Sequence, residues 1–182
     1  MDTPDTPEEL ESFKQDIIEA HNRRRRTHGA DDLRHSNELD DLAQHWAERL
    51  AGQAHLSFSE LSGVGENITF FPKNLDPDKM VEHWYEEHEK YEYDTPGWQQ
   101  GTNYFTQVVW RSTEEIGIGR AYVPVTPTGK EKKQKPNGNI EEHLVEQVVV
   151  AFYRPAGNNN RAGQFAVNVV KPRFTGNKFI SS

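Results

Sequence analysis

Four side chains from four separate stretches carry the chemistry this chain could do: His55 in AHLSF, Glu66 in GVGENI, Glu87 in HWYEEHEKY and Tyr104 in GTNYFTQ. Two carboxylates sharing a cleft can have separated pKa values and divide acid and base roles. An imidazole adds a metal donor or proton carrier, and a phenol adds a hydrogen-bond donor. Each residue also has a plain structural role. A histidine beside Leu56 and Phe58 more often packs and hydrogen bonds than ligates. Glu66, in its glycine-flanked turn, can simply accept backbone N–H groups. Glu87 is the most telling, because it falls with Met80, Trp84 and Tyr91 on one helical face, and a buried carboxylate costs several kcal/mol unless paired or solvated.

Other arrangements carry less. His83 and Glu87 stand at i, i+4 without a third ligand, and His83 and His88 are spaced too far round a helix to share a face. Arg23 to Arg26 occupy nearly a full turn and form no flat basic face. A solvated helix end, favoured by the C-terminal dipole, is the expectation over an anionic-lipid site. No phosphate loop or nucleophile elbow occurs.

The elements that must position these residues come from a chain of 182 residues, 34% hydrophobic and 10% aromatic, which suits one domain with one sizeable core. A net charge of -8 argues against a dedicated nucleic-acid binder. With no cysteine there is no disulfide, thiolate metal site or thiol nucleophile, which fits a reducing compartment best. The opening MDTPDTPEELESF lacks an apolar signal core, Asp2 stands where myristoylation needs glycine, and no stretch approaches the ~18 apolar residues of a membrane span. The residues alone leave the location open, intracellular or, if a signal peptide has been removed, secreted.

Thr6, Pro7 and Glu9 supply a cap, a first-turn proline and a capping-box acid ahead of Leu10, Phe13, Ile17 and Ala20, predicting a helix that runs to Gly29. A second helix follows Ser36, with Leu39, Leu42, Ala43, Trp46 and Leu50 as its stripe and Gly52 as its end. Asp76-Pro77 starts a third, on which Met80, Trp84, Glu87 and Tyr91 align. Ile116 to Val123, Leu144 to Tyr153 and Gln164 to Val170 read as strands of an antiparallel sheet. Pro124 to His143, rich in Lys, Gly and Pro, reads as a long hairpin loop. By β propensity alone, Phe105 to Trp110 is also a strand.

AHNRRRRTHG, HWAERLA, the His55 segment, GENI, HWYEEHEKY, GTNYFTQVVWRST, IGIGRAYV and FYRPAGN occur in the order seen in the CAP superfamily, the cysteine-rich secretory, antigen-five and pathogenesis-related proteins. The resemblance spans roughly Leu10 to Val170; Tyr104 through Trp110 and Tyr153 through Asn158 look like its two signature motifs. Ala151 stands where secreted members usually carry cysteine. The cysteine-free chain most resembles the Golgi-associated pathogenesis-related branch, which is intracellular and binds membranes.

The resemblance implies an α+β fold, a three-layer α-β-α sandwich with a central antiparallel sheet, and a short helix at Phe105 to Trp110. One domain is expected over 8–172, with 1–7 as an extension, 124–143 as an inserted loop and 173–182 as a tail. The resemblance further implies a central cleft of His55, Glu66, Glu87 and Tyr104, with Gln107 beside them. Tyr104 takes the place of the second of two family histidines that in some members hold zinc. A phenol donates to zinc only after losing its proton. The expectation is therefore an incomplete site at His55 with weak zinc affinity and no required cofactor, and a Tyr104 hydroxyl that donates to Glu66 or Glu87.

On this reading the protein is a non-catalytic binder of sterol, fatty acid, phospholipid or membrane surfaces, with Phe70, Phe71 and Leu75 in ITFFPKNLDP as lipid-contact candidates. Core closure by the two phenylalanines is the competing account. Membrane contact is expected to be transient, through Lys130 to Lys135 or the arginines, because the net charge opposes anionic bilayers. No nucleic-acid partner is expected. A metal-assisted hydrolase using Glu66 or Glu87 as base, and an interaction scaffold or homodimer built on the inserted loop, stay open as alternatives.

Overall fold

Thr6 caps the first helix reciprocally: its hydroxyl accepts from Glu9 N at 3.1 Å while the Glu9 carboxylate accepts from Thr6 N at 2.8 Å. In the computed structural model, which describes residues 5–53, 55–124 and 145–173, this starts α1 (Pro7–Thr27). β1 (Arg34–His35), α2 (Asn37–Gln53), β2 (Gly65–Pro72) and α3 (Pro77–Tyr85) follow, then a 3-10 turn over Glu86–Lys90. The chain continues through α4 (Asn103–Val109), β3 (Glu115–Pro124), β4 (Val145–Arg154) and α5 (Gln164–Asn168).

The strands lie in the order β1-β3-β4-β2. β4 pairs antiparallel with both β3 and β2, and only the two-residue β1 edge runs parallel, to β3. β4 reads as a continuous apolar run because both of its faces are covered. Val148, Val150 and Phe152 face α2, where they meet Leu39, Ala43 and Leu50. Val149, Ala151 and Tyr153 face the layer of α1, α3 and α4, where they meet Ile17, Trp84 and Phe105. The α+β sandwich expected from the sequence is what forms, and the short helix at α4 is the one the resemblance implies.

Two glycines set the depth of the α2 layer. A Cβ on Gly117 would lie 2.4 Å from Asp40 N, and one on Gly119 would lie 2.3 Å from the Ala43 carbonyl carbon. The α2 backbone therefore rests directly on β3, with the Asp40 carboxylate accepting from Ile118 N at 2.8 Å.

Several sequence readings change. Gln164 to Val170 is not a strand but contains α5, because Phe165, Asn168 and Val169 are buried together at helical spacing. Leu42 is 38% exposed and lies outside the α2 core stripe. The third helix stops at Tyr85, so Met80, Trp84 and Tyr91 reach the core from α3 and from the segment after the turn rather than along one helix. GENITFFP, with Glu66 expected in a glycine-flanked turn, is strand β2. Beyond Pro124 the inserted loop, with Lys130 to Lys135, lies outside the described residues, as does the tail from 174.

Candidate functional site

Glu87 and Tyr104 come together at the start of α4. A helix leaves its first N–H groups without internal partners, and Thr102 supplies no side-chain cap here. The Glu87 carboxylate fills that role, accepting from Phe105 N at 3.1 Å. Burial pushes this carboxyl above its ordinary range, against the opposing pull of the Phe105 and Tyr104 N–H groups. The Tyr104 ring stacks on Trp84 with centroids 6.1 Å apart and lies 6.4 Å from the His83 ring. Its hydroxyl donates to the Ile68 carbonyl at 2.9 Å, on a strand at the edge of the sheet. The expected bond from Tyr104 to Glu66 or Glu87 is therefore not made.

Glu66 belongs to a different arrangement. Strand residues alternate between faces, and cross-strand partners share one. Asn67 donates to the Tyr153 hydroxyl and Thr69 accepts from Trp84 Nε1, which fixes the odd-numbered residues of β2 on the α4 side. Glu66 is paired with Phe152, on the α2 side. Its carboxylate accepts from Ser59 N at 2.8 Å and, by a short bond, from Ser59 Oγ. His55 is exposed at the end of α2, with Nδ1 3.0 Å from the Gln53 carbonyl. Among the described residues no hydrogen bond or ion pair joins His55 or Glu66 to Glu87 or Tyr104.

Gln107 also leaves the expected cleft. It is buried, with Oε1 accepting from Gly157 N at 2.9 Å and Nε2 donating to Thr113 Oγ1 at 3.2 Å. A Cβ on Gly65 would lie 2.1 Å from this amide, so the glycines around it make its berth. Of the lipid-contact candidates, Phe71 is 4% exposed and closes the core, which removes it from any surface role. Phe70 points to the opposite face of β2 and is half-buried on the α2 cluster, so the two rings cannot cover one ligand. Leu75 is half-buried against the α3 side.

A buried polar constellation forms at the arginine run expected to lie in solvent. Arg25 is fully buried and donates to the carbonyls of Asp31 (2.8 Å), Val108 (3.0 Å), Trp110 (2.9 Å) and Thr113 (3.0 Å). Its neighbours are not free either: Arg23 and Arg24 bind Asp78, Arg24 reaches Glu82 at 2.7 Å, and Arg26 binds Asp32 at 2.7 Å. One helical turn away, His21 bridges the Ile17 carbonyl (2.8 Å) and the Tyr153 hydroxyl (2.7 Å), and burial lowers its pKa to about 3. His28 links the Val170 carbonyl and the Tyr85 hydroxyl, each at 2.8 Å. Sequence did carry a signal: Ile17, His21 and Arg25 repeat at i, i+4, i+8 on the buried face.

Among the described residues no group of three or more His, Asp or Glu side chains is placed to hold a metal ion. The Tyr104 hydroxyl donates to the Ile68 carbonyl, and Glu66 Oε1 accepts from Ser59 N.

Comparison with known proteins agrees with the sandwich. The family described as "CAP: Cysteine-rich secretory protein family" matches residues 18–128. Golgi-associated plant pathogenesis-related protein 1 of Homo sapiens is 30% identical over 164 residues, covering 88% of this chain and 94% of the relative. "Repressed by EFG1 protein 1" of Candida albicans is 31% identical over 121 residues, and the match spans only 44% of that longer relative. Among solved structures, Schistosoma mansoni venom allergen-like protein 4 superposes with a TM-score of 0.60 at 17% identity, covering 89% of this chain and 96% of that one. On the family match and the human relative together, the chain belongs to the CAP family.

Proposed function

We propose that the protein is a non-catalytic CAP-domain module that binds lipid, making contact through the apolar loop between α2 and β2. The observation that carries this reading is the exposure of Leu56 (41%), Phe58 (61%) and Leu61 (37%) within one short stretch. Clustered exposed apolar side chains on a soluble domain mark interaction or lipid-contact surfaces. The loop is also braced from beneath. Trp46 Nε1 donates to the Ser57 carbonyl at 3.0 Å, Gln53 Nε2 to the His55 carbonyl at 3.0 Å, and Glu66 holds Ser59. Those bonds keep the apolar side chains turned outward instead of letting the loop fold over them.

Support for binding over metal-assisted hydrolysis comes from the carboxylates. Glu66 clamps a loop and Glu87 caps a helix, so each already serves a structural bond. With a net charge of -8 and α1 arginines matched to acids or carbonyls, the favoured surface is a neutral, sterol-containing bilayer. The contact is peripheral: no helix among the described residues is long and apolar enough to cross a membrane. The human relative's name suggests Golgi membranes as a place to look. In this reading no cofactor is required, and any zinc held near His55 is held weakly.

The test is co-sedimentation with phosphatidylcholine–cholesterol vesicles. Phe58→Ser is expected to reduce the bound fraction severalfold, since a buried aromatic contributes about 1.5–3 kcal/mol, while Phe70→Ala leaves it close to wild type. Wild-type protein that stays in the supernatant, or a Phe58→Ser variant that binds as well as wild type, overturns the proposal.

A further inference from the structure

The 96–98 loop and the 160–166 segment enclose a cup of about 140 Å³ lined by Pro96, Trp98, Arg161 and Ala166, with Phe165 at its base. None of its lining residues belongs to the 56–61 stretch. Phe165 is 4% exposed and rests edge-on against Trp110 at 5.0 Å, so the base is packed into the core. One wall is pinned by Gln99, whose amide donates to the carbonyls of Glu92 (2.9 Å) and Thr95 (3.0 Å) and accepts from Glu92 N (2.8 Å). The other is held by Arg161 N donating to Asn159 Oδ1 at 3.0 Å.

Two side chains at this cup lack the partners their types usually find. Trp98 is 56% exposed, and among the described residues its ring has no aromatic neighbour and its Nε1 no acceptor. Arg161 has no ion pair or side-chain hydrogen bond among the described residues. Arg23, Arg24, Arg26, Arg34, Arg120 and Arg154 each face a carboxylate in this acidic chain. An unmatched guanidinium beside an uncovered indole is suited to an anion that also carries a flat ring, since guanidinium pairs with carboxylate in a planar fork and indole stacks on aromatic faces. The volume sets the size: a cavity of about 150 Å³ accommodates benzene.

We propose that this cup binds a small aromatic carboxylate, its ring between Trp98 and Ala166 and its carboxylate toward Arg161. The probe is phenylacetate, titrated into uniformly ¹⁵N-labelled protein at low salt while the Trp98 Nε1–H resonance, assigned with Trp98→Phe, is followed. A saturable shift with a Kd of ~1–10 mM is expected for a ligand of this size. Arg161→Gln weakens phenylacetate about fivefold and leaves it no better than the neutral phenylacetamide. Ala166→Leu, which fills the cup without touching the charge, abolishes the shift for both compounds. Acetate alone produces no saturable shift. The proposal is overturned if the phenylacetate shift shows no curvature toward a plateau by about 50 mM, if Arg161→Gln binds it like wild type, or if the shift survives Ala166→Leu.

Discussion

Replacing Arg25 with methionine tests how α4 is held. The guanidinium donates to four carbonyls from three places along the chain, Asp31, Val108 with Trp110, and Thr113, at 2.8–3.0 Å, and its side chain is fully buried. Burial lowers its pKa to about 10, so it stays charged at neutral pH. Hydrogen bonds from a charged donor contribute about 1.5–3 kcal/mol each, and methionine orphans all of their acceptors. Against that, the variant no longer desolvates a cation, and methionine keeps most of the apolar stem. The net loss is on the order of 3–5 kcal/mol, a large share of the about 5–15 kcal/mol that a domain has. For a chain of this length that lowers Tm by roughly 6–20 °C. Arg25→Lys keeps the charge but has three donors on a compact ammonium, so its loss falls between methionine and wild type. Urea unfolding followed by near-UV circular dichroism measures both. A methionine variant within about 1 kcal/mol of wild type at unchanged m would mean the carbonyls find water or each other, and that Arg25 does not organise α4.

Acid should weaken the fold through His21. Its folded pKa, about 3, lies below the ordinary 6.5, so in that window the unfolded chain takes up a proton that the folded chain refuses. Stability therefore falls as pH drops below about 6.5, by about 2 kcal/mol at pH 5. Buried His28 acts in the same direction. Denaturant midpoints at neutral and mildly acidic pH that coincide would contradict this. Gly119→Ala places a methyl 2.3 Å from the α2 backbone at Ala43. A loss of about 1–3 kcal/mol is expected by thermal unfolding, and a neutral result would mean that α2 can slide outward on β3.

Elements with purely local signals were legible in the sequence, and those whose polar residues work inside the fold were not. The Thr6 box, the α2 start at Ser36 and the runs that become β3 and β4 carry their own instructions. β2 was hidden because its inward positions include Asn67 and Thr69, which serve Tyr153, Tyr104 and Trp84 as hydrogen-bond partners and break the apolar alternation. Missing that strand also hid the pleat, and with it the reason Glu66 turns away from Tyr104. α5 reads as a strand because Phe165, Val167 and Val169 alternate, while the buried partner that reveals the helix is the polar Asn168. Arg25 looked like one of four equivalent arginines, and only the tertiary fold brings three carbonyl-bearing segments to it.

Glu66 separates the binding and hydrolytic readings, because the two assign different work to the same oxygen. As a general base it must be ionised, and Glu66→Gln should then abolish any ester or peptide hydrolysis that wild type shows. As a loop clamp it needs only an acceptor for Ser59 N and Ser59 Oγ, and a glutamine carbonyl at the same reach accepts both, with weaker bonds because it carries no charge. Glu66→Gln is therefore expected to keep vesicle binding within about twofold, while Glu66→Ala, which frees Ser59 and lets Phe58 fold inward, lowers it severalfold. Proton exchange at Ser59 N should rise in the alanine variant and stay slow in the glutamine one, reporting the clamp itself. If Glu66→Ala binds vesicles like wild type while Ser59 exchanges freely, the loop's posture does not control lipid contact, and the apolar side chains of the 56–61 stretch meet the bilayer without being held for it.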